Sequence, residues 1–103
     1  MYKLNFFVPE AQKEEVKQAL FDLGVGRYEN YECCSWESLG QGQFKPIDNA
    51  NPAIGKLNTL EVLPEYKVEM ICKDELIKDA IATLKKVHPY EEVAYEVFKV
   101  EDF

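Results

Sequence analysis

Two segments of this chain carry the same amphipathic pattern, and that repetition constrains the fold more than any other feature. Val16-Lys17-Gln18-Ala19-Leu20-Phe21-Asp22-Leu23 aligns without gaps to Ile77-Lys78-Asp79-Ala80-Ile81-Ala82-Thr83-Leu84. The apolar positions coincide one by one, and Lys17 and Lys78 are shared. Apolar residues at i, i+3, i+4 and i+7 make one stripe along a helix. Each helical pattern is flanked by strand patterns. Tyr2 to Val8 alternates, with Leu4, Phe6 and Val8 on one face, and Tyr28 to Glu37 reads as the strand that returns, carrying Tyr31, Cys33 and Trp36. In the second half Tyr66, Val68, Met70 and Cys72 alternate with Lys67, Glu69 and Ile71, and Val93 to Val100 close the chain. A strand–helix–strand unit used twice predicts an α+β domain, a βαββαβ sandwich of ferredoxin-like type with both helices on one face of one sheet.

The boundaries follow from local chemistry. Pro9 suits the first position of a helix, where its missing N–H costs nothing, and Gly24 and Gly26 end that helix. Asp74 is the expected N-cap of the second helix. Pro89 forces His88 out of the α region, so that helix ends near His88. Ser38 to Leu57 reads as a long loop holding Gly40-Gln41-Gly42-Gln43-Phe44-Lys45-Pro46 and Asn51-Pro52-Ala53-Ile54-Gly55. Irregular connections of that length inside a small domain are usually functional. Phe44 and Ile54 are the residues expected to pin it. Thr59 to Leu63 reads as a short extra strand closed by Pro64. Residues 1–103 form a single domain, with no linker or low-complexity tract.

Composition narrows the function. With 103 residues the chain can bury one core without staples. The net charge is −7, and the eleven lysines and Arg27 are nowhere gathered into a patch, which argues against nucleic acid and anionic lipid as partners. No apolar run approaches the ~20 residues of a membrane span, and Met1 to Asn5 lead straight into a strand without a signal pattern, so the expected location is the cytoplasm. Three cysteines without scaffold spacing, Cys33 and Cys34 being adjacent on the expected strand, read as reduced thiols.

His88 is the single histidine, set in His88-Pro89-Tyr90-Glu91-Glu92. Its functional reading is a ligand-contacting or proton-transferring group whose charge Glu91 or Glu92 holds. Its structural reading is a helix-stop residue bonded to a terminal carbonyl or to glutamate. No second catalytic group stands at a useful spacing, so no catalytic residue is assigned. No cofactor is expected; a divalent metal on His88, Glu91 and Glu92 is the alternative, without any C-x-x-C, H-x-x-x-H or aspartate-rich loop to support it. Gly40-x-Gly42 lacks the Lys-Ser/Thr of a phosphate loop and opens no helix, and is read as conformational, with positive φ before Phe44. The ligand-binding candidates are His88, Tyr90, Glu91, Glu92, Gly40, Gly42 and Phe44, with Glu65 added by the family resemblance that follows.

The two loop motifs quoted above, together with Glu61-Val62, Glu65 and His88-Pro89-Tyr90-Glu91-Glu92-Val93-Ala94-Tyr95, resemble the domain inserted into many bacterial NIF-three-like proteins, a family often labelled GTP cyclohydrolase I type 2 homologue. The chain looks like a short, free-standing version of that domain, with Val93 where the family commonly has proline. The resemblance implies a fold like those of PII signalling and CutA proteins, which assemble into trimers with ligand clefts between subunits. It also implies that the family's dinuclear metal site lies in flanking domains, so the cyclohydrolase label does not transfer. The function expected is a non-catalytic, homo-oligomeric binding or regulatory module, trimer before dimer, with a small molecule or a metalloprotein as partner. A small metal-binding protein or metal-dependent enzyme using His88 and nearby glutamates is the alternative.

Overall fold

The computed structural model describes all 103 residues. Strand β1 (Tyr2–Val8) leads into helix α1 (Glu10–Leu23), β2 (Trp36–Phe44) and β3 (Glu61–Cys72), then helix α2 (Ile77–Val87) and β4 (Tyr95–Lys99). The four strands form one antiparallel sheet in the order β2-β3-β1-β4. This is the ferredoxin-like arrangement that the repeated pattern predicts. The period-2 alternation sends Leu4, Phe6 and Val8 of β1 and Val68, Met70 and Cys72 of β3 to one face, where all six are buried. They meet Val16 and Leu20 of α1, Val25, and Ala80 and Leu84 of α2 in a single core. Of the shared stripe, α1 buries Val16 and Leu20 while α2 buries Ala80 and Leu84, the two positions three residues further along the aligned pattern.

Several boundaries differ from the sequence expectation. Pro9 is the extended N-cap of α1 rather than its first helical residue, with φ −64° and ψ 153°. Asp74 caps nothing; it opens a 3-10 turn, Asp74–Leu76, and binds the terminal amine and Lys99. The last strand is shorter, Tyr95–Lys99. Helix α2 does end at His88, whose extended backbone (φ −70°, ψ 141°) is what a following proline demands.

The largest correction is to the middle of the chain. Residues 28–35 are not strand: Tyr28 and Tyr31 pair across one isolated bridge, and Glu29 and Cys33 take positive φ. The segment is tied down through Gly26, whose N–H donates to the Ile71 carbonyl and whose carbonyl accepts from the Cys34 N–H, both at 2.8 Å. A Cβ on Gly26 would stand 2.7 Å from the Cys34 carbonyl oxygen, so this close approach requires glycine. Strand β2 starts only at Trp36 and takes in Ser38 to Phe44, so the expected loop is shorter and begins at Lys45. Glu61 to Leu63 are not an extra strand; they are the start of β3, which runs on through Pro64. Proline is tolerated there because β1 reaches only as far as Tyr66 on β3, leaving Pro64 with a neighbour on one side, Gln41.

Gly40–Phe44 and Glu61–Glu65 therefore project beyond the sheet as a two-stranded arm, and the molecule measures 46 × 26 × 24 Å.

Candidate functional site

The site grows from the corner where β1, β3 and the α2–β4 connection meet. Beyond Tyr95 the ladder between β4 and β1 ends in a single bond, from the Phe7 N–H to the Ala94 carbonyl at 3.4 Å, which leaves the carbonyl of Phe7 without a ladder partner. His88, only 6% exposed, fills that role: its Nε2 lies 2.7 Å from the Phe7 carbonyl oxygen, and its Nδ1 accepts the backbone N–H of Tyr90 at 3.0 Å. A carbonyl on one side and an N–H on the other require the neutral ring with its proton on Nε2. Burial holds the His88 pKa below its ordinary value, against the opposing pull of the Phe7 carbonyl and the charge of Glu65. The expectation that Glu91 or Glu92 holds a positive imidazole is thus replaced by a neutral ring satisfied by backbone.

That bonding places Tyr90 beside the imidazole, ring centroids 4.9 Å apart and edge-on, and in tilted contact with Phe44 at 6.0 Å. The Tyr90 hydroxyl is buried without a partner in hydrogen-bonding geometry. Burial first, and the Glu65 carboxylate second, push its pKa well up, so it stays a neutral phenol.

Facing this corner is the connection from Lys45 to Leu60. The N–H of Asn58 donates to the Pro46 carbonyl at 2.6 Å, drawing the ends of the segment together as in compact Ω-type loops. The Glu91 carboxylate accepts the Asn51 N–H at 3.0 Å and ties the loop to the α2–β4 connection. Between them lies an open groove of about 750 Å³. Its walls come from Phe44 at the tip of β2, Glu65 of β3, and Tyr90, Glu91 and Glu92, closed by loop residues such as Pro46 and Ile54.

Five of the eight candidate residues therefore converge: Phe44, Glu65, Tyr90, Glu91 and Glu92. His88 supports this wall from behind. Gly40 and Gly42 lie on β2 and do not line the groove; neither has positive φ, contrary to their expected turning role. Gly42 instead leaves space for the side chain of Glu65, since a Cβ there would overlap its Oε1 at 1.7 Å. Phe7 and Asp48 also line the groove and escaped the sequence reading. For Phe7 the signal was present, because it alternates away from the core-facing Phe6 and Val8. No three His, Cys, Asp or Glu side chains stand together as a metal site, and no helix is long and apolar enough to cross a membrane.

No family model matches the chain. A GTP cyclohydrolase 1 type 2 homolog of Halalkalibacterium halodurans is 41% identical over 98 residues, 95% of this chain and 26% of that protein. The protein of the same description from Bacillus subtilis is 40% identical over 99 residues, 96% of this chain and 26% of its own length. The crystal structure of a Bacillus cereus protein related to NIF3 superposes with a TM-score of 0.82 at 36% identity, over 98% of this chain and 26% of that one. The chain is a homologue of one domain of the NIF-three-like family. It spans about a quarter of the length of the curated relatives it matches. CutA1 of Pyrococcus horikoshii gives a TM-score of 0.73 at 15% identity over 100% of this chain and 86% of its own, and Bacillus subtilis GlnK gives 0.60 at 18% over 96% and 83%. At those identities the likeness shows the fold alone, a PII/CutA-like one.

Proposed function

We propose that this chain is a non-catalytic, self-associating module that binds a ligand in the groove between the 45–60 loop and the Tyr90 corner. The observation that carries the reading is the convergence on one 750 Å³ groove of side chains from β2, β3, the loop and the α2–β4 connection, a volume typical of small-molecule sites. Self-association is supported by the sheet face away from the helices. Trp36 and Phe98 are 69% and 52% exposed there, beside the half-buried Phe7 and Ile71, and the buried Asn5 Oδ1 has no partner. Trp36 and Phe98 stand on the two edge strands, with the Lys3–Glu69 ion pair on the strands between them, so the face offers a second copy both apolar and charged contacts. The arm adds to this, because a two-stranded ribbon is marginal alone and this one exposes Val62. The PII and CutA resemblance implies trimers with clefts at subunit boundaries, where this groove would lie.

A thermal-shift screen of nucleotides, amines, carboxylates and divalent cations tests the binding role. A true ligand at a hundredfold excess over its dissociation constant raises stability by about 2.7 kcal/mol. A melting temperature unmoved by every class contradicts the reading.

A further inference from the structure

We propose that the groove is selective for a small organic cation, a protonated amine carrying an apolar body, with Glu65 as its counter-charge. The inference rests on the ligand-binding reading above and names the ligand class for that site. Four carboxylates line the groove, those of Glu65, Glu91, Glu92 and Asp48, against the single cation of Lys45. They arrive from three separate segments: β3, the α2–β4 connection and the loop. None of the four is in an ion pair, whereas Glu37, Glu69 and Asp74 elsewhere on the molecule all are. Like charges gathered around a partly closed, apolar-walled space raise the local affinity for a cation.

Glu65 has the most specific placement. Because Gly42 has no side chain, the Glu65 carboxylate lies across β2, in space that any Cβ would occupy. Of Gly40 and Gly42 it is Gly42 that makes room for the carboxylate, and the pair presents no positive-φ nest of N–H groups. The lining contains no arginine and no helix N-terminus, the groups that receive phosphate. The rest of the wall suits an amine with an apolar body. Phe44 and Tyr90 offer tilted rings 6.0 Å apart for cation–π contact, and Ile54 and Pro46 offer apolar surface.

The test is a titration of the ¹⁵N-labelled full chain near neutral pH with three probes: 2-phenylethylamine, 3-phenylpropionate (a similar body with the opposite charge) and ATP. The amine is expected to shift the backbone amides of Phe44, Asn51 and Tyr90 with millimolar affinity, as befits a ligand of that size. Glu65→Gln, and separately Gly42→Ala, are expected to weaken binding roughly threefold to fivefold, and ~0.5 M salt to weaken it by a similar factor. Binding by 3-phenylpropionate or ATP at the same amides, as strong as that of the amine, would overturn the ligand class while leaving the groove a binding site. Amine binding indifferent to both salt and Glu65→Gln would also overturn it, as would displacement of the amine by magnesium chloride at constant ionic strength. No shift of those amides by any probe up to ~20 mM would remove both the class and the binding reading.

Discussion

The two places where a helix hands the chain back to the sheet are built on one sequence pattern and held by different forces. After α2 the return is short and dense. His88 is buried with both ring nitrogens bonded to backbone, and Tyr95 and Val97 pack against the core. After α1 the chain wanders from Gly24 to Ser35 before β2 begins, and no residue of β2 is fully buried. What latches β2 to α1 is a carboxylate shared by two amines: Glu37 lies 2.5 Å from Lys13 and 2.9 Å from Lys17, with the Lys13 amine over the Tyr66 ring at 3.8 Å. The Lys13 and Lys17 hydrogen bonds hold the Glu37 carboxyl below the usual range. A corner fixed by neutral hydrogen bonds in the interior can position a binding wall. An edge strand held by its ladder to β3 and by ion pairs near solvent instead carries the projecting arm.

Removing the interior anchor should have the largest effect. His88→Ala leaves the Phe7 carbonyl and the Tyr90 N–H unpaired and opens a cavity, an expected loss of roughly 2–4 kcal/mol by urea denaturation. If the cost is below about 1 kcal/mol, the two returns do not differ as described.

A smaller effect distinguishes the anchors by pH. Unfolded His88 titrates near 6.5, and burial lowers its folded value. As pH falls below about 6.5 the unfolded chain takes up a proton that the fold refuses, so the stability present above that pH declines until the lower folded value is reached. His88→Gln should remove that slope. A slope unchanged in the variant would assign the titration elsewhere.

The outer latch should matter least and should be sensitive to salt. Glu37→Gln is expected to lower the melting temperature by no more than a few degrees, and ~1 M NaCl should cost the native chain about as much while sparing the variant. Equal salt dependence in both proteins would mean that the ion pairs hold nothing.

What could be read from the sequence follows the same division. Core strands β1 and β3 and both helices announce themselves, because burial on one face imposes a period of 2 or 3.6 on residues such as Leu4, Phe6, Val16 and Leu84. The ending of α2 was equally legible from Pro89. Strand β2 was misplaced because it has no buried face: Trp36-Glu37-Ser38-Leu39-Gly40-Gln41-Gly42 carries no alternation, and the pairing with β3 that defines it lies in the backbone. The aromatic run Tyr28, Tyr31 and Trp36 looked more like a strand, although its positive-φ residues are Glu29 and Cys33, which nothing in the sequence marks. Of the site, His88 to Glu92 and Phe44 stood out through motif and rarity. The neutrality of His88 and the lodging of Glu65 over Gly42 depend on register between distant strands, which composition does not encode.

In the proposed assembly, copies of the same chain cover the projecting arm and the sheet face that carries Trp36 and Phe98. Light scattering on the purified chain at tens of micromolar, measured across a gel-filtration peak, addresses it most directly. A trimer is expected at a mass near 36 kDa, three times the 11.9 kDa of one chain. A stable 11.9 kDa species, with Trp36 fluorescence typical of a solvated indole, would contradict it.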